Sequence, residues 1–273
     1  MFLFWIAAGA LALFSAVEFH RFVEVRIIFR PKHLDASHTF AFEGQRFTEH
    51  LLTTPDGARL NVLHFESVDS VAKRGLILYT HGNADNLDRW GKEARHFTQL
   101  GYDVVMWDYR GFGKSRGKMT ESTLLADAEL LYDFAYTRAP ALGPRRMLVL
   151  YGRSIGSGVA SYLASRFATV ALCLETPYTN LLDMTRTWVP HYPGWGLSFR
   201  LPQDQWVQGV SAPMLILHGT ADEVVPYWMG ERLVKLRTDL GFATRLVTIA
   251  GGDHKHLPDT PDWQNAIRKF LAE

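Results

Sequence analysis

Short, nearly unbroken apolar runs alternate along this chain with longer stretches in which apolar residues recur every three or four positions. Gly75–Thr80, Tyr102–Trp107, Met147–Tyr151, Val170–Leu174, Met214–Leu217 and Arg245–Ile249 are runs of the first kind. Their length and apolar content predict strands covered on both faces. Between them, Leu87, Trp90, Ala94 and Phe97 fall on one side of a helix, as do Leu124, Ala128, Leu131 and Ala135. The same spacing returns at Ile155, Val159 and Leu163, at Met229, Leu233, Leu236 and Leu240, and at Trp263, Ile267 and Phe270. Strands alternating with helices of this length predict an α/β fold, a mostly parallel central sheet with helices on both faces. Upstream, Phe47–Thr54 and Leu60–Phe65 read as two strands around Pro55-Asp56-Gly57. That turn has a mechanism: proline presets φ, and the glycine accepts a positive one.

Two stretches break the rhythm. Residues 1–17 carry no charge, and as a helix they would extend roughly 25 Å, near the short limit for a bilayer span. A cleaved signal peptide fits less well, because no basic segment precedes the apolar run and no small-x-small site follows it. Arg21, Arg26, Arg30 and Lys32 then interleave with Phe19, Phe22, Val23, Ile27, Ile28 and Phe29 up to Pro31. The pattern predicts a membrane and juxtamembrane helix over residues 1–30, with apolar side chains and basic heads at a lipid surface. The basic flank puts the body of the protein on the cytoplasmic side. A polar link, Lys32–His38, leads into that body, residues 39–273. The second break, Pro177 to Ala212, holds Trp188, Tyr192, Trp195, Phe199 and Trp206 among prolines and glycines. It is too long for an ordinary connection and predicts a small aromatic cap, residues 177–212. Trp188, Tyr192, Trp195 and Val224 are the expected lining of an apolar pocket beneath it.

Charge changes the picture little. Lys and Arg number 29 against 28 Asp and Glu, and no basic stripe suggests a nucleic-acid partner. The single cysteine, Cys173, lies inside an apolar run and reads as a core thiol. Gly111-Phe112-Gly113-Lys114-Ser115 invites a phosphate-loop reading. It fails because Asp108 stands where the first glycine of that loop belongs. No cofactor is expected, and the sequence is compatible with a homo-oligomer.

The chemistry concentrates at Gly152-Arg153-Ser154-Ile155-Gly156, between an apolar strand and a small-residue helix. In that setting G-x-S-x-G lifts a serine hydroxyl clear of a sheet on a sharp turn. A serine at its free pKa is a poor nucleophile, so an imidazole must take its proton and a carboxylate must orient that imidazole. Asp222 follows a later strand and His254 follows the last, giving the order Ser154, Asp222, His254. Glu175, Asp108 and Glu223 remain alternatives for the acid, and His256 for the base. A metal reading of Asp253, His254 and His256 lacks further ligands at zinc-like spacing, so no metal is expected. The oxyanion donors expected from this geometry are the backbone N–H groups of Ile155 and of Asn83, in the turn His81-Gly82-Asn83.

These pieces, together with His81-Gly82-Asn83-Ala84, Asp108 through Ser115, His218-Gly219-Thr220-Ala221-Asp222 and Gly251-Gly252-Asp253-His254, resemble the α/β-hydrolase superfamily. They are most similar to its membrane-anchored branch, which includes eukaryotic protein depalmitoylases and bacterial relatives. The resemblance runs from about Phe47 to the C-terminus and implies Ser154, Asp222 and His254 as the triad. One departure stands out. Relatives usually place a third glycine before the histidine and Asn-Asp after it, where this chain has Asp253 and then Lys255-His256. The expectation is a serine carboxylic-ester hydrolase, esterase- or lipase-like, acting through an acyl-enzyme on lipid-derived esters or thioesters. An amide or peptide hydrolase on the same residues, or a membrane-anchored scaffold without catalysis, are the alternatives.

Overall fold

The computed structural model describes residues 15, 17–142 and 145–272. Eight strands form one sheet: β1 (Phe47–Thr53), β2 (Arg59–Phe65), β3 (Gly75–Thr80), β4 (Tyr102–Trp107), β5 (Leu148–Arg153), β6 (Ala171–Glu175), β7 (Met214–Gly219) and β8 (Thr244–Ile249). Their spatial order is β1-β2-β4-β3-β5-β6-β7-β8. The tight turn at Pro55-Asp56-Gly57 makes β1 and β2 antiparallel, and β2 also runs against β4. From β4 to β8 every neighbouring pair is parallel. This is the α/β-hydrolase fold. β3, β4, β5 and β7 are buried along their whole length, whereas the edge strand β8 is largely half-buried or exposed.

The helices are α1 (17–28), α2 (Glu121–Tyr136), α3 (Ile155–Arg166), α4 (Leu181–Trp188), α5 (Tyr227–Thr238) and α6 (Pro261–Phe270), with shorter turns between 87 and 98. Two apolar clusters lie on opposite faces of the sheet. Leu124, Leu131, Val159, Leu163 and Met229 belong to one, and Leu87, Phe97, Trp263 and Ile267 to the other. Most of the residues that shared a helical face in the sequence are therefore the ones that bury it, but Leu236 is only half-buried and Leu240 lies exposed past the end of α5.

The chain leaves β3 toward β4 and then returns to place β5 on the other side of β3. Such a switch opens a crevice at the carboxyl ends of the two central strands. Two glycines make the approach possible there. A Cβ on Gly152 would meet the Gly156 oxygen at 2.5 Å, and one on Gly156 would meet the Thr80 oxygen at 2.1 Å. Both obstacles are backbone atoms that cannot swing away. Gly156→Ala is therefore expected to destabilise the protein by about 3 kcal/mol or more, read as a lower urea midpoint. A midpoint unchanged from the parent would contradict this packing.

The N-terminal expectation needs revision where the structure describes it. Residues 1–14, which carry most of the expected anchor, lie outside the described residues. No helix among the described residues is long and apolar enough to cross a membrane. α1 does not simply lie on a surface of its own. Buried Glu24 accepts hydrogen bonds from the Ser198 and Phe199 N–H groups at 2.9–3.0 Å, and Val25 and Ile28 pack on the core. The expected link, Lys32–His38, is strapped down as well. Leu34 N–H donates to Gly113 O, Pro31 bridges to Asp85, and Phe40 and Phe42 are buried.

Candidate active site

β5 stays extended through Arg153, and the chain then turns within one residue into α3. Ser154 sits in that turn with φ 52° and ψ −122°, a strained position for a residue with a Cβ. The turn is held from several sides. Ser154 N–H donates to Glu175 O, and Ser157 Oγ donates to Ser154 O at 2.6 Å. Thr80 Oγ1 donates to the Tyr151 and Gly156 oxygens, tying the end of β3 to both sides of the elbow.

The structure brings Ser154, His254 and Asp222 together although they are far apart in sequence. Ser154 Oγ lies 3.1 Å from His254 Nε2, and His254 Nδ1 lies 2.8 Å from Asp222 Oδ2. Asp222 is an acceptor, so Nδ1–H donates to it, Nε2 is left as an acceptor and the Ser154 hydroxyl donates to Nε2. The Asp222 carboxylate is fully covered. Burial would raise its pKa, but hydrogen bonds from His218 and His254, the charge of His254 and the Val225 N–H outweigh it and hold the carboxyl well below the usual range. Its other oxygen accepts the Val224 and Val225 N–H groups at 2.9 and 2.8 Å. Asp222 is thus an ionised, fixed acceptor behind the imidazole.

The alternatives go elsewhere. His256 Nδ1 pairs with Asp253 Oδ2 at 2.7 Å in an exposed turn. Glu175 pairs with Arg153 at 3.1 Å and accepts from Tyr151 and Trp263. Asp108 faces His81 and caps the Leu87 N–H, while Glu223 is exposed. No group of three or more metal-binding side chains occurs among the described residues.

Ile155 opens α3, where the first N–H groups of a helix lack intrahelical partners. Asn83 stands in the turn that follows β3. Its side-chain amide donates to Ile28 O, and the Ala84 N–H beside it donates to Phe29 O. The strap that follows α1 therefore holds this turn in place.

Two of the four residues expected to line a pocket do not turn inward. Trp188 and Trp195 are 66% and 85% exposed, so the structure leaves both on the surface. Tyr192 is half-buried and donates its hydroxyl to Gly196 O, and Val224 is half-buried beside Asp222. Within residues 177–212, Tyr178, Leu181, Phe199 and Leu201 are among those buried against the core. Leucine and phenylalanine carry no polar atom to satisfy, whereas a tryptophan N–H needs a partner when buried.

Two residues near the site escaped the sequence reading. Arg153, buried inside the elbow motif, donates through Nη2 to the His254 and Lys255 oxygens at 3.2 and 2.6 Å. It joins the strand that carries the serine to the loop that carries the histidine. His218 is buried below Asp222, with Nε2 3.0 Å from Val225 O and 3.4 Å from Asp222 Oδ2. Arg153 stood next to the serine in sequence, but nothing there showed which loop its side chain would reach.

With this geometry in view, known proteins place the chain. A family model described as serine aminopeptidase, S33 matches residues 71–192. Lysophosphatidylserine lipase ABHD12 of Danio rerio is 33% identical, over 72% of this chain and 58% of that protein. An uncharacterized protein of Mycobacterium tuberculosis (strain ATCC 25618 / H37Rv) is 31% identical, over 82% of this chain and 78% of its own length. The chain thus spans a little over half the length of the lysophosphatidylserine lipases it matches. Among solved structures, the Pyrococcus furiosus esterase Pf2001 superposes with a TM-score of 0.69 at 16% identity, covering 89% of this chain and 96% of the esterase. Est1E of Butyrivibrio proteoclasticus with bound ferulic acid gives 0.64 at 21% identity, covering 82% and 98%. At these identities the two structures speak for the fold.

Proposed function

Because this chain belongs to the α/β-hydrolase superfamily of serine hydrolases, we propose that it is a carboxylic-ester hydrolase working through an acyl-enzyme. One observation carries the reading: a serine hydroxyl 3.1 Å from an imidazole whose other nitrogen is 2.8 Å from an ionised carboxylate. Ser154 Oγ attacks the acyl carbonyl while His254 Nε2 takes its proton. The backbone N–H groups of Ile155 and Asn83 receive the developing oxyanion. His254 then protonates the leaving alkoxide or thiolate. In the second half His254 deprotonates a water that attacks the acyl carbonyl, the acid leaves, and the proton returns to Ser154.

Lipid-derived esters or thioesters are the substrates we infer, supported by the lipases among the relatives. We also infer that the uncharged run through Val17 anchors the chain in a bilayer, with the hydrolase body, residues 39–273, on the cytoplasmic side. The basic flank of that run supports the orientation. Residues 177–212 form its cap.

The description of the matching family as an aminopeptidase favours amide hydrolysis as the second reading. Matched p-nitrophenyl ester and p-nitroanilide substrates separate the two. The ester is expected to give the higher kcat/KM by at least about 100-fold. A higher kcat/KM on the anilide would replace the ester reading with the amide one.

A further inference from the structure

Between α1 and the loop that follows β4 lies a cavity of about 440 Å³. It is lined by Arg21, Phe22, Arg26, Lys118 and Met119, among others. Glu18 bridges two of its cations, with Oε1 2.8 Å from Arg21 Nη1 and Oε2 2.5 Å from Lys118 Nζ. Arg110, also in the wall, is already satisfied by Asp56 and Asp127. Arg26 has no carboxylate partner among the described residues; its guanidinium rests over the Phe22 ring at 5.0 Å. One acid therefore serves Arg21 and Lys118, Arg26 is unpaired, and, with Arg110 held by two carboxylates, four cations face three acids and one positive charge is left in excess. An anion fits that balance.

The surroundings say what kind of anion. α1 also exposes Phe19, Phe22 and Ile27, at 70%, 56% and 69%, with Phe22 at the rim of the cavity. Water does not favour three such side chains on a helix that is already docked. Immediately before α1, residues 1–14 carry no charge. The unpaired cation and the exposed apolar side chains thus share one helix, the arrangement of a helix lying in a bilayer interface. The cavity also opens at the carboxyl end of β4, the edge of the sheet on which Ser154 stands. From α1 the chain runs straight to the Asn83 turn through the Ile28 and Phe29 oxygens.

We propose that the cavity between α1 and the β4 loop binds the phosphate-bearing headgroup of an anionic membrane phospholipid. Arg26, Lys118 and Arg21 hold the phosphate, while Phe22, Val25 and Met119 meet the apolar shoulder of the same lipid. A lipid seated there turns the carboxyl edge of the sheet, with Ser154, toward the bilayer.

The test uses the full chain in neutral-detergent micelles with equal amounts of phosphatidylglycerol and phosphatidylcholine of the same acyl chains. Native mass spectrometry counts the lipid retained. The parent chain is expected to retain phosphatidylglycerol at least about tenfold over phosphatidylcholine. Each cation near an anionic lipid is worth about a fivefold change in affinity, so Arg26→Ala/Lys118→Ala is expected to lose about 30-fold. That variant should hydrolyse p-nitrophenyl acetate at the parental rate, which reports an intact fold. Ser154→Ala should retain the lipid as the parent does, so a failure of the ester reading leaves this result untouched. Equal retention of the two lipids, or undiminished retention by the double variant, overturns the proposal. Displacement of the lipid by millimolar glycerol phosphate would also overturn it and give the cavity to a soluble phosphate ester.

Discussion

Ser154→Ala is expected to lower kcat on a p-nitrophenyl ester by on the order of 10^5- to 10^6-fold, about 7–8 kcal/mol of barrier. The alanine removes the atom that forms the acyl bond, and the nearest hydroxyl cannot take over: Ser157 Oγ is committed to the Ser154 and Gln203 oxygens. Folding should hardly change. The only described hydrogen bond of Ser154 Oγ is the one to His254, and the backbone strain at φ 52° is the same for alanine. Glycine at this position separates strain from chemistry. Ser154→Gly should be as inactive as the alanine variant, yet more stable by about 1 kcal/mol, because a residue without a Cβ adopts that φ freely. Steady-state kinetics of the purified variants, with denaturant midpoints on the same preparations, give both numbers. Turnover within a hundredfold of the parent would remove Ser154 as the nucleophile.

Asp222→Asn should cost about 10^4-fold in kcat with a nearly unchanged KM. The structure gives the reason in atoms. Val224 and Val225 N–H groups both donate to Oδ1, so an asparagine must keep its carbonyl oxygen on that side. Its NH2 group is then forced toward His254 Nδ1, which can no longer donate and becomes an acceptor. The proton moves to Nε2, and the nitrogen that faces Ser154 can no longer take the hydroxyl proton. Because Asn matches Asp in shape, the fold should survive, as a circular dichroism melt would show. A loss of less than tenfold would mean that another group orients His254, and would end the role given to Asp222.

Ser154 and Asp222 were legible because each closes an apolar run at a turn motif, and the order of those turns follows the order of the strands. His254 was harder. Two residues later His256 offers the same ring, and sequence distance does not choose between them. Asp253 does. Its Oδ1 accepts the Lys255 and His256 N–H groups, and its Oδ2 holds the His256 ring, so that ring is turned outward while His254 faces the elbow. Glu175 is ambiguous in the sequence for a similar reason. Its position at a strand end fitted, but only the fold showed that Arg153 occupies it.

The aromatic residues between 177 and 212 misled in the opposite way. Trp188 and Trp195 suggested a lined pocket by their number, but number carries no direction. The apolar and basic pattern of α1 gives no sign of where Glu24 points. The partners of that carboxylate are backbone N–H groups more than 170 residues away.

The sequence by itself determined the strands, most of the helices, the glycines of the elbow and the chemistry-bearing turns, because each depends on neighbours within a few residues. Tertiary structure alone decided which ring meets Ser154, where Arg153 reaches, which tryptophans face out and how α1 docks. The meeting of His254 with Ser154, the reach of Arg153 and the docking of α1 rest on groups a hundred or more residues apart, and hydrogen-bond partners at that distance leave no periodic trace along a chain.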